Sequence, residues 1–473
     1  MTDEMDCLLN PRTIAIIGAS SSSDKIGNVL VKSLLRSSAK IFPVNPKHDL
    51  IEGIRCYHLI SDVPDDLDLA IIALPAEKSY AEFIKVADHG VKCAIFVTAG
   101  FSEMGNHGRE LEKQIIDYAR SKGTRVLGPN TLGVYSPITK IDTLIIPAEK
   151  SPRPDGGALA LISQSGSVHV SMLEKASSMA IGISYSIGLG NRADISEIDM
   201  LKYLADDDRT RCIALYLESF SDGRALIELA KSITPKKPIV AIKAGRTEAG
   251  SRAASSHTGA ISRSGDDIVD GAFHQSGIIR AYDDEELLDY ANALMLMSES
   301  KGDRVAYIGS AGGVGVMASD YIESEGIGGR LRMAKLSDAT KKALSEVLEA
   351  FAPLNNPVDL TASSSPSQYD GAMHIVAQDQ GVDMILLSLD MQPPMMDDSV
   401  FDYIKSWAGL GKPIVGTSTG GDLAIRTVLK MQKLGIPSYP SLSRCIKSAR
   451  ILYERGKFLK QIGNKGSSKT HPI

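Results

Sequence analysis

The sequence predicts an α/β protein built from three parallel sheets with helices on both faces, and two observations carry that expectation. Short β-branched runs end repeatedly in a Gly, Pro or Ser turn and are followed by roughly 15 to 20 helix-compatible residues, the rhythm of βαβ units. At 473 residues the chain is also too long for a single core, and about three domains of roughly 150 residues each would suit it.

In the first series, Thr13-Ile-Ala-Ile-Ile17 runs into Gly18-Ala-Ser20 and Lys40-Ile-Phe-Pro-Val44 into Asn45-Pro46. Leu69-Ala-Ile-Ile-Ala-Leu74 runs into Pro75, and Cys93-Ala-Ile-Phe-Val97 into Thr98-Ala-Gly100. Continuous apolar runs of this kind are strands covered on both faces. Ligands in such sheets bind at the carboxyl ends of the strands, so these turns should share one edge. The series closes near Val126-Leu-Gly-Pro-Asn-Thr-Leu-Gly133, which sets a first domain over residues 1–145.

After the linker Pro152-Arg-Pro-Asp-Gly-Gly157, a second series gives a flavodoxin-like layer over residues 155–298. Its strands are Leu159-Ala-Leu-Ile162, Ile181-Gly-Ile-Ser-Tyr185, Cys212-Ile-Ala-Leu-Tyr-Leu217 and Pro238-Ile-Val-Ala-Ile242. A third series, over residues 302–460, repeats the architecture with Val305-Ala-Tyr-Ile308, Met384-Ile-Leu-Leu-Ser-Leu389 and Pro413-Ile-Val415. Residues 461–473 read as a basic, solvated tail.

Composition narrows the function classes. A net charge of −5 spread along the chain leaves no basic face for nucleic acid. The five cysteines are far apart, form no CxxC pair and read as reduced core residues. The N-terminus is acidic where a secretory leader would be basic, and no apolar run approaches the roughly 20 residues of a membrane span. The expectation is a cytoplasmic protein without a membrane segment. Histidines and cysteines show no zinc-ligand spacing, so no metal site is assigned.

Four motifs carry chemistry. Gly18-Ala-Ser-Ser-Ser-Ser-Asp-Lys-Ile-Gly27 is a glycine turn between a strand and a helix, where backbone can approach a phosphate. It is not GxGxxG, and Val44-Asn-Pro-Lys47 stands where a dehydrogenase carries an acidic residue. A cation there suits a phosphorylated adenine cofactor, coenzyme A and NADP alike. Ser163-Gln-Ser-Gly-Ser167 places hydroxyls and amides at a helix start, where four N–H groups lack partners. It reads as an anion site or as a plain serine cap. Gly309-Ser-Ala-Gly-Gly-Val-Gly315 has the same construction, and two such termini could face one phosphoryl group.

Glu218 ends an apolar strand at the ligand edge, where a carboxylate can orient an imidazole or simply cap a helix. His257 lies among small residues in Ser255-Ser-His-Thr-Gly-Ala260, one of nine histidines. A neutral imidazole is a nucleophile and a good leaving group for a transferred phosphoryl, and small flanks suit a mobile carrier.

Taken together, Gly18-Ala-Ser20, Val44-Asn-Pro-Lys47, Leu127-Gly-Pro-Asn130, Ser163-Gln-Ser-Gly166, Tyr216-Leu-Glu-Ser219, Ser256-His-Thr-Gly-Ala-Ile261 and Ser310-Ala-Gly-Gly313 resemble one family in order and spacing. That family is the alpha subunits of ADP-forming acetyl-CoA (acyl-CoA) synthetases, related to succinyl-CoA synthetase, and the likeness covers almost the whole chain. The resemblance implies a Rossmann-like coenzyme A-binding domain followed by two flavodoxin-like domains. It implies that His257 is phosphorylated, that Glu218 orients it, and that Ser165, Gly166, Ser167, Gly312 and Gly313 hold the phosphoryl group. Coenzyme A is expected on Gly18, Ala19, Ser20, Lys25, Val44, Asn45, Pro46, Lys47, Pro75 and Asn130, and Gly188-Leu-Gly-Asn191 is expected to line the acyl pocket. The reaction implied interconverts acyl-CoA, ADP and phosphate with an organic acid, ATP and coenzyme A, through an acyl phosphate. The ATP-grasp nucleotide domain of the family is missing, which implies a separate beta subunit carrying ADP or ATP with Mg2+, and a heterotetramer. A coenzyme A-binding module associated with an acyltransferase, and an NADP oxidoreductase, are the competing readings.

Overall fold

In the computed structural model, alternate residues of the first-sheet strands enter two different cores. Ile14, Ile16, Leu69, Ile71 and Ile95 pack into one cluster, and Ala15, Ile17, Ala70, Ile72 and Phe96 into another. A strand buried on both faces is what the unbroken apolar runs require. Each large aliphatic side chain buried this way contributes about 1.5–3 kcal/mol. The structure describes residues 5–252 and 265–467, with side chains to residue 463. It divides into two units, Met1–Leu287 and Leu288–Ile473.

The first unit holds two of the main sheets. One is five-stranded and parallel, in the order Lys40–Val44, Thr13–Ile17, Leu69–Ile72, Cys93–Phe96, Arg125–Leu127. Ile17 stands opposite both Val44 and Ile72, so the turns after them leave the sheet side by side.

The other sheet has seven strands, in the order Ile279–Arg280, Ile239–Lys243, Cys212–Leu217, Gly156–Ser163, Ile183–Gly188, Val134–Ser136, Ile141–Asp142. Its last two strands run antiparallel. They lie within the stretch that the sequence reading gives to the first domain. At three and two residues they are too short for periodicity to reveal, and their place is set by pairing: Val134 with Ile187 and Tyr135 with Ser186. One apolar cluster runs continuously from Ile14 and Ile16 through Ile162, Ile187 and Leu215, which is why the two expected domains form one unit.

The cysteine expectation is corrected at one pair. Cys7 and Cys93 form a disulfide with Cα atoms 5.8 Å apart and 86 residues between them in sequence. It ties the helix Asp6–Leu9 to the start of a central strand. A local spacing test cannot see a pair that only the fold brings together. Cys56, Cys212 and Cys445 are free and buried.

The second unit contains a parallel sheet ordered Arg332–Met333, Arg304–Gly309, Met384–Ser388, Ile414–Thr417, Ser438–Tyr439, with Val358–Asp359 also paired to Arg304–Gly309. The side chain of Asn356 links two strands here: it accepts from the Tyr307 N–H at 2.9 Å and donates to the Val305 carbonyl, both in Arg304–Gly309, and donates to the carbonyl of Ala334, just after Arg332–Met333. The helix Leu442–Ser467 runs past residue 461, where the sequence reading begins a loose tail. Ile446, Ala449 and Leu452 are buried along it, so packing carries its earlier turns. Among the described residues no helix is long and apolar enough to cross a membrane.

Candidate functional site

The strand Gly156–Ser163 delivers Gln164 and Ser165 to the sheet edge, and the helix Gly166–Ser178 starts immediately after. Ser165 is extended at the N-cap, and its side chain makes no capping hydrogen bond. The Ser163 hydroxyl is committed to the Ser165 carbonyl at 2.8 Å, while the Ser165 and Ser167 hydroxyls lie 3.3 Å apart. The first-turn N–H groups are therefore left without a side-chain cap, the condition under which a helix start takes up an anion.

Sheet order sets what surrounds this turn. The strands on either side of Gly156–Ser163 are Cys212–Leu217 and Ile183–Gly188, so the turns after all three converge. Gln164 accepts through Oε1 from the backbone N–H of Glu218 at 2.9 Å and of Ser219 at 3.1 Å. Glu218 is 8% exposed. From the other side, Arg192 donates through Nη1 to the Ser219 carbonyl at 2.9 Å and through Nη2 to its hydroxyl at 2.6 Å. Nη1 also donates to the fully buried Glu197 at 2.8 Å. Glu197 in turn accepts from the Ser221 N–H and hydroxyl, both at 2.8 Å.

Asn191 anchors the same loop to the 3-10 turn Ser102–Met104 and the helix Asn106–Lys122, donating to Glu103 at 2.7 Å and Glu112 at 2.9 Å. Glu103 accepts from the Gly100 and Phe101 N–H groups. Its burial works against ionisation, yet the hydrogen bonds from Asn191 and these amides outweigh it and hold its carboxyl below the usual range. These residues enclose a cavity of about 360 Å³, lined among others by Ser165, Gly166, Ser167, Asn130, Arg192 and Glu218. Gly190 and Asn191, from the segment expected at the acyl pocket, line it too.

Behind the helix start, His169 is fully buried on the same helix and pairs through Nε2 with the Ser186 hydroxyl. Nδ1 has no partner. Burial, with the Arg153 charge adding to it, pushes the imidazole down to about 3, so it is neutral at physiological pH.

Gly18, Ala19, Ser20, Val44, Asn45 and Pro75 lie in or beside the three turns that leave the first sheet together, with Lys25, Pro46 and Lys47 exposed nearby. Asn45 donates to the Ala19 carbonyl at 2.7 Å and accepts from the Lys47 N–H at 2.9 Å, joining the two turns. A Cβ on Gly27 would sit 2.1 Å from the Gly18 carbonyl oxygen, so only glycine lets the helix Ile26–Leu34 start against this turn. Two exposed lysines beside a helix start whose N-cap residue Lys25 offers no side-chain cap fit a polyanionic nucleotide. Asn130 is separate from these residues: it lines the cavity of Glu218, with its N–H on the Thr98 carbonyl at 3.0 Å.

Gly312 and Gly313 begin the helix Gly312–Glu323 of the second unit, whose N-cap Ala311 is extended and has no side chain to cap it. A Cβ on Gly312 would come 2.7 Å from an Asp359 carboxylate oxygen, so an acidic group stands over that helix start. His257 lies outside the described residues. Among the described residues no group of three or more His, Cys, Asp or Glu could hold a metal ion. Sequence reasoning missed Gln164, Arg192 and His169 as parts of this site. Gln164 was in view within its serine turn, whereas Arg192 and His169 gain their partners only through strand order.

Known proteins resemble the chain along its length. A coenzyme A binding domain model matches residues 12–137, a succinyl-CoA ligase-like flavodoxin domain residues 156–294, and a Ligase-CoA domain residues 305–449. The acetate–CoA ligase (ADP-forming) I subunit alpha of Pyrococcus furiosus is 36% identical over 96% of this chain and 98% of its own. The acetate–CoA ligase (ADP-forming) I of Archaeoglobus fulgidus is 34% identical over 95% of this chain but only 63% of its own. Among solved structures, the Candidatus Korarchaeum cryptofilum dinucleotide-forming acetyl-coenzyme A synthetase 1 in complex with phosphate and ADP matches with a TM-score of 0.89 and 32% identity, covering 98% of this chain and 99% of that one. The oxidoreductase and acyltransferase readings find no support among these matches. With identity above 30% across nearly the full length of both chains, this chain belongs to the family of ADP-forming acetate–CoA ligase alpha subunits.

Proposed function

We propose that the chain carries out the acyl and phosphoryl steps by which acyl-CoA, ADP and phosphate are interconverted with an organic acid, ATP and coenzyme A. The observation that carries this reading is the coupling of an uncapped helix start to a buried carboxylate through one side chain, Gln164, inside a single cavity.

In the first step a phosphate oxygen attacks the thioester carbonyl, the C–S bond breaks, and acyl phosphate and the coenzyme A thiol are released. Ser165, Gly166 and Ser167 hold the phosphoryl oxygens, because first-turn N–H groups and the helix dipole stabilise an anion. In the second step His257 attacks phosphorus, the bond from phosphorus to the acyl oxygen breaks, and the electron pair leaves with the carboxylate. Glu218 accepts from the other imidazole nitrogen and fixes the reacting tautomer. ADP then takes the phosphoryl from His257.

Coenzyme A is a substrate here, and Gly18, Ala19, Ser20, Lys25, Val44, Asn45, Pro46, Lys47 and Pro75 would hold it at the edge of the first sheet. Asn130 contributes from the cavity side. Gly312 and Gly313 are kept as a second phosphate-binding helix start. The name of the Pyrococcus furiosus relative, a subunit alpha, supports placing the nucleotide and Mg2+ on a partner, here an ATP-grasp beta subunit in a two-plus-two heterotetramer. A cytoplasmic location is part of this reading.

The test is incubation of the protein with labelled phosphate and acetyl-CoA. Acid-labile label on the wild type, lost in His257→Ala, is the expected result. Label that persists in His257→Ala would overturn the assignment.

A further inference from the structure

Arg192 has donors to spare. It stands in the left-handed region at φ 59°, and its side chain is 8% exposed. A guanidinium has five N–H hydrogens. Nη1 spends both of its hydrogens, on Glu197 and on the Ser219 carbonyl, while Nη2 spends one on the Ser219 hydroxyl. Nε is buried and has no partner. Because Nη1 and Nη2 both grip Ser219, they use the pair of hydrogens that face each other at the end of the fork. The two left over, on Nε and on the outer side of Nη2, are parallel, the spacing that meets both oxygens of a carboxylate.

Charge points the same way. Arg192 is the sole cationic side chain lining the cavity among the described residues, which otherwise offer the carboxylates Glu103 and Glu218. Glu197, which pairs with Arg192, does not line the cavity and leaves the outer edge of the fork free.

We infer that Arg192 is the carboxylate-binding residue of the site, taking the acid's two oxygens, or the acyl-side oxygens of acyl phosphate, on its Nε and outer Nη2 hydrogens. This rests on the proposed reaction. When His257 attacks phosphorus and the bond to the acyl oxygen breaks, negative charge grows on that oxygen, and Arg192 meets it with two charge-assisted hydrogen bonds. In reverse, the same fork aligns a free carboxylate for attack on phosphohistidine.

The test separates two half-reactions in the complex with its partner subunit: phosphorylation of His257 by ATP, and dephosphorylation by acetate plus coenzyme A. Loosening Ser219 and Glu218 would slow both by the same factor, so the ratio of the two rates isolates carboxylate binding. In Arg192→Gln the ratio falls about 100- to 1,000-fold, the size of a lost oxyanion donor, and the KM for acetate rises. In Arg192→Lys, which keeps the charge without the fork, the ratio falls by a smaller factor. A ratio that stays at the wild-type value overturns the inference, and Arg192→Lys decides it should Arg192→Gln fail to fold. Failure of the wild-type complex to become phosphorylated by ATP would instead overturn the proposed reaction itself.

Discussion

The amide oxygen of Gln164 binds the backbone N–H of Glu218 at 2.9 Å, and of the next residue at 3.1 Å, from the position just before the helix start that is proposed to hold phosphate. The anion site and the carboxylate, on the turns after two neighbouring strands, are thereby tied together. Replacing Gln164 with Ala leaves two largely buried N–H groups without an acceptor, at a cost of about 1–3 kcal/mol. His257 labelling should also drop about 10- to 100-fold, the usual effect of losing a residue that orients a catalytic group. Gln164→Glu keeps the acceptor, so urea unfolding should show near-native stability while the added charge weakens phosphate binding. Equal damage from both variants would mean that Gln164 acts only as a structural plug.

Glu218→Gln tests the carboxylate by itself. The backbone contacts from Gln164 do not depend on the Glu218 side chain, so folding should be preserved. Phosphorylation of His257 should fall about 10- to 100-fold. Full activity in this variant would reduce Glu218 to a strand-end residue with no part in orienting the imidazole.

His169 sets a pH dependence. Its unfolded value is 6.5, and burial with the Arg153 charge lowers it to about 3 in the folded protein. Between these values the unfolded chain binds a proton that the folded one refuses, so stability is lost as pH falls below 6.5. This group alone should make the protein about 2 kcal/mol less stable at pH 5 than at pH 7. Above the unfolded value the contribution is constant. The difference between wild type and His169→Gln, measured by urea unfolding at the two pH values, isolates it from other titrating groups. An identical pH response in the two proteins would place a protonated imidazole in the folded core.

How much of this was legible in the sequence depends on the range of each interaction. The strand-end turns at Gly18, Asn45 and Ser165 are local events, in which an apolar run stops and a glycine, proline or serine follows. Those could be read directly. The grip of Arg192 on Ser219, 27 residues on, exists because Gly156–Ser163 lies between Ile183–Gly188 and Cys212–Leu217. No periodicity records which strands are neighbours. The strand Val134–Ser136 was missed for a related reason: three residues hold too little pattern, and pairing with Ile183–Gly188 decides their fate. The Cys7–Cys93 bridge likewise follows from a helix docking on a strand 86 residues away in sequence.

Gly190 is where the geometry of the loop is most exposed to a single change. Its φ is +60°, and a Cβ there would lie 2.3 Å from the Pro129 carbonyl oxygen and 2.7 Å from that of Asn130. The loop is pinned to this segment by the Asn191 N–H on the Pro129 carbonyl at 2.9 Å and the Ala193 N–H on the Gly128 carbonyl at 3.0 Å. It therefore cannot swing away without giving up hydrogen bonds. Gly190→Ala combines an unfavourable backbone conformation with a backbone clash, and should cost more than about 1 kcal/mol in urea unfolding. Any relief of the clash displaces Asn191 and Arg192, the two residues that join this loop to Glu103 and Ser219. The folded fraction of Gly190→Ala should accordingly show a raised KM for acetate, with KM for ADP close to wild type. Unchanged stability together with an unchanged KM for acetate would mean that the loop has slack which the 2.3 Å approach denies.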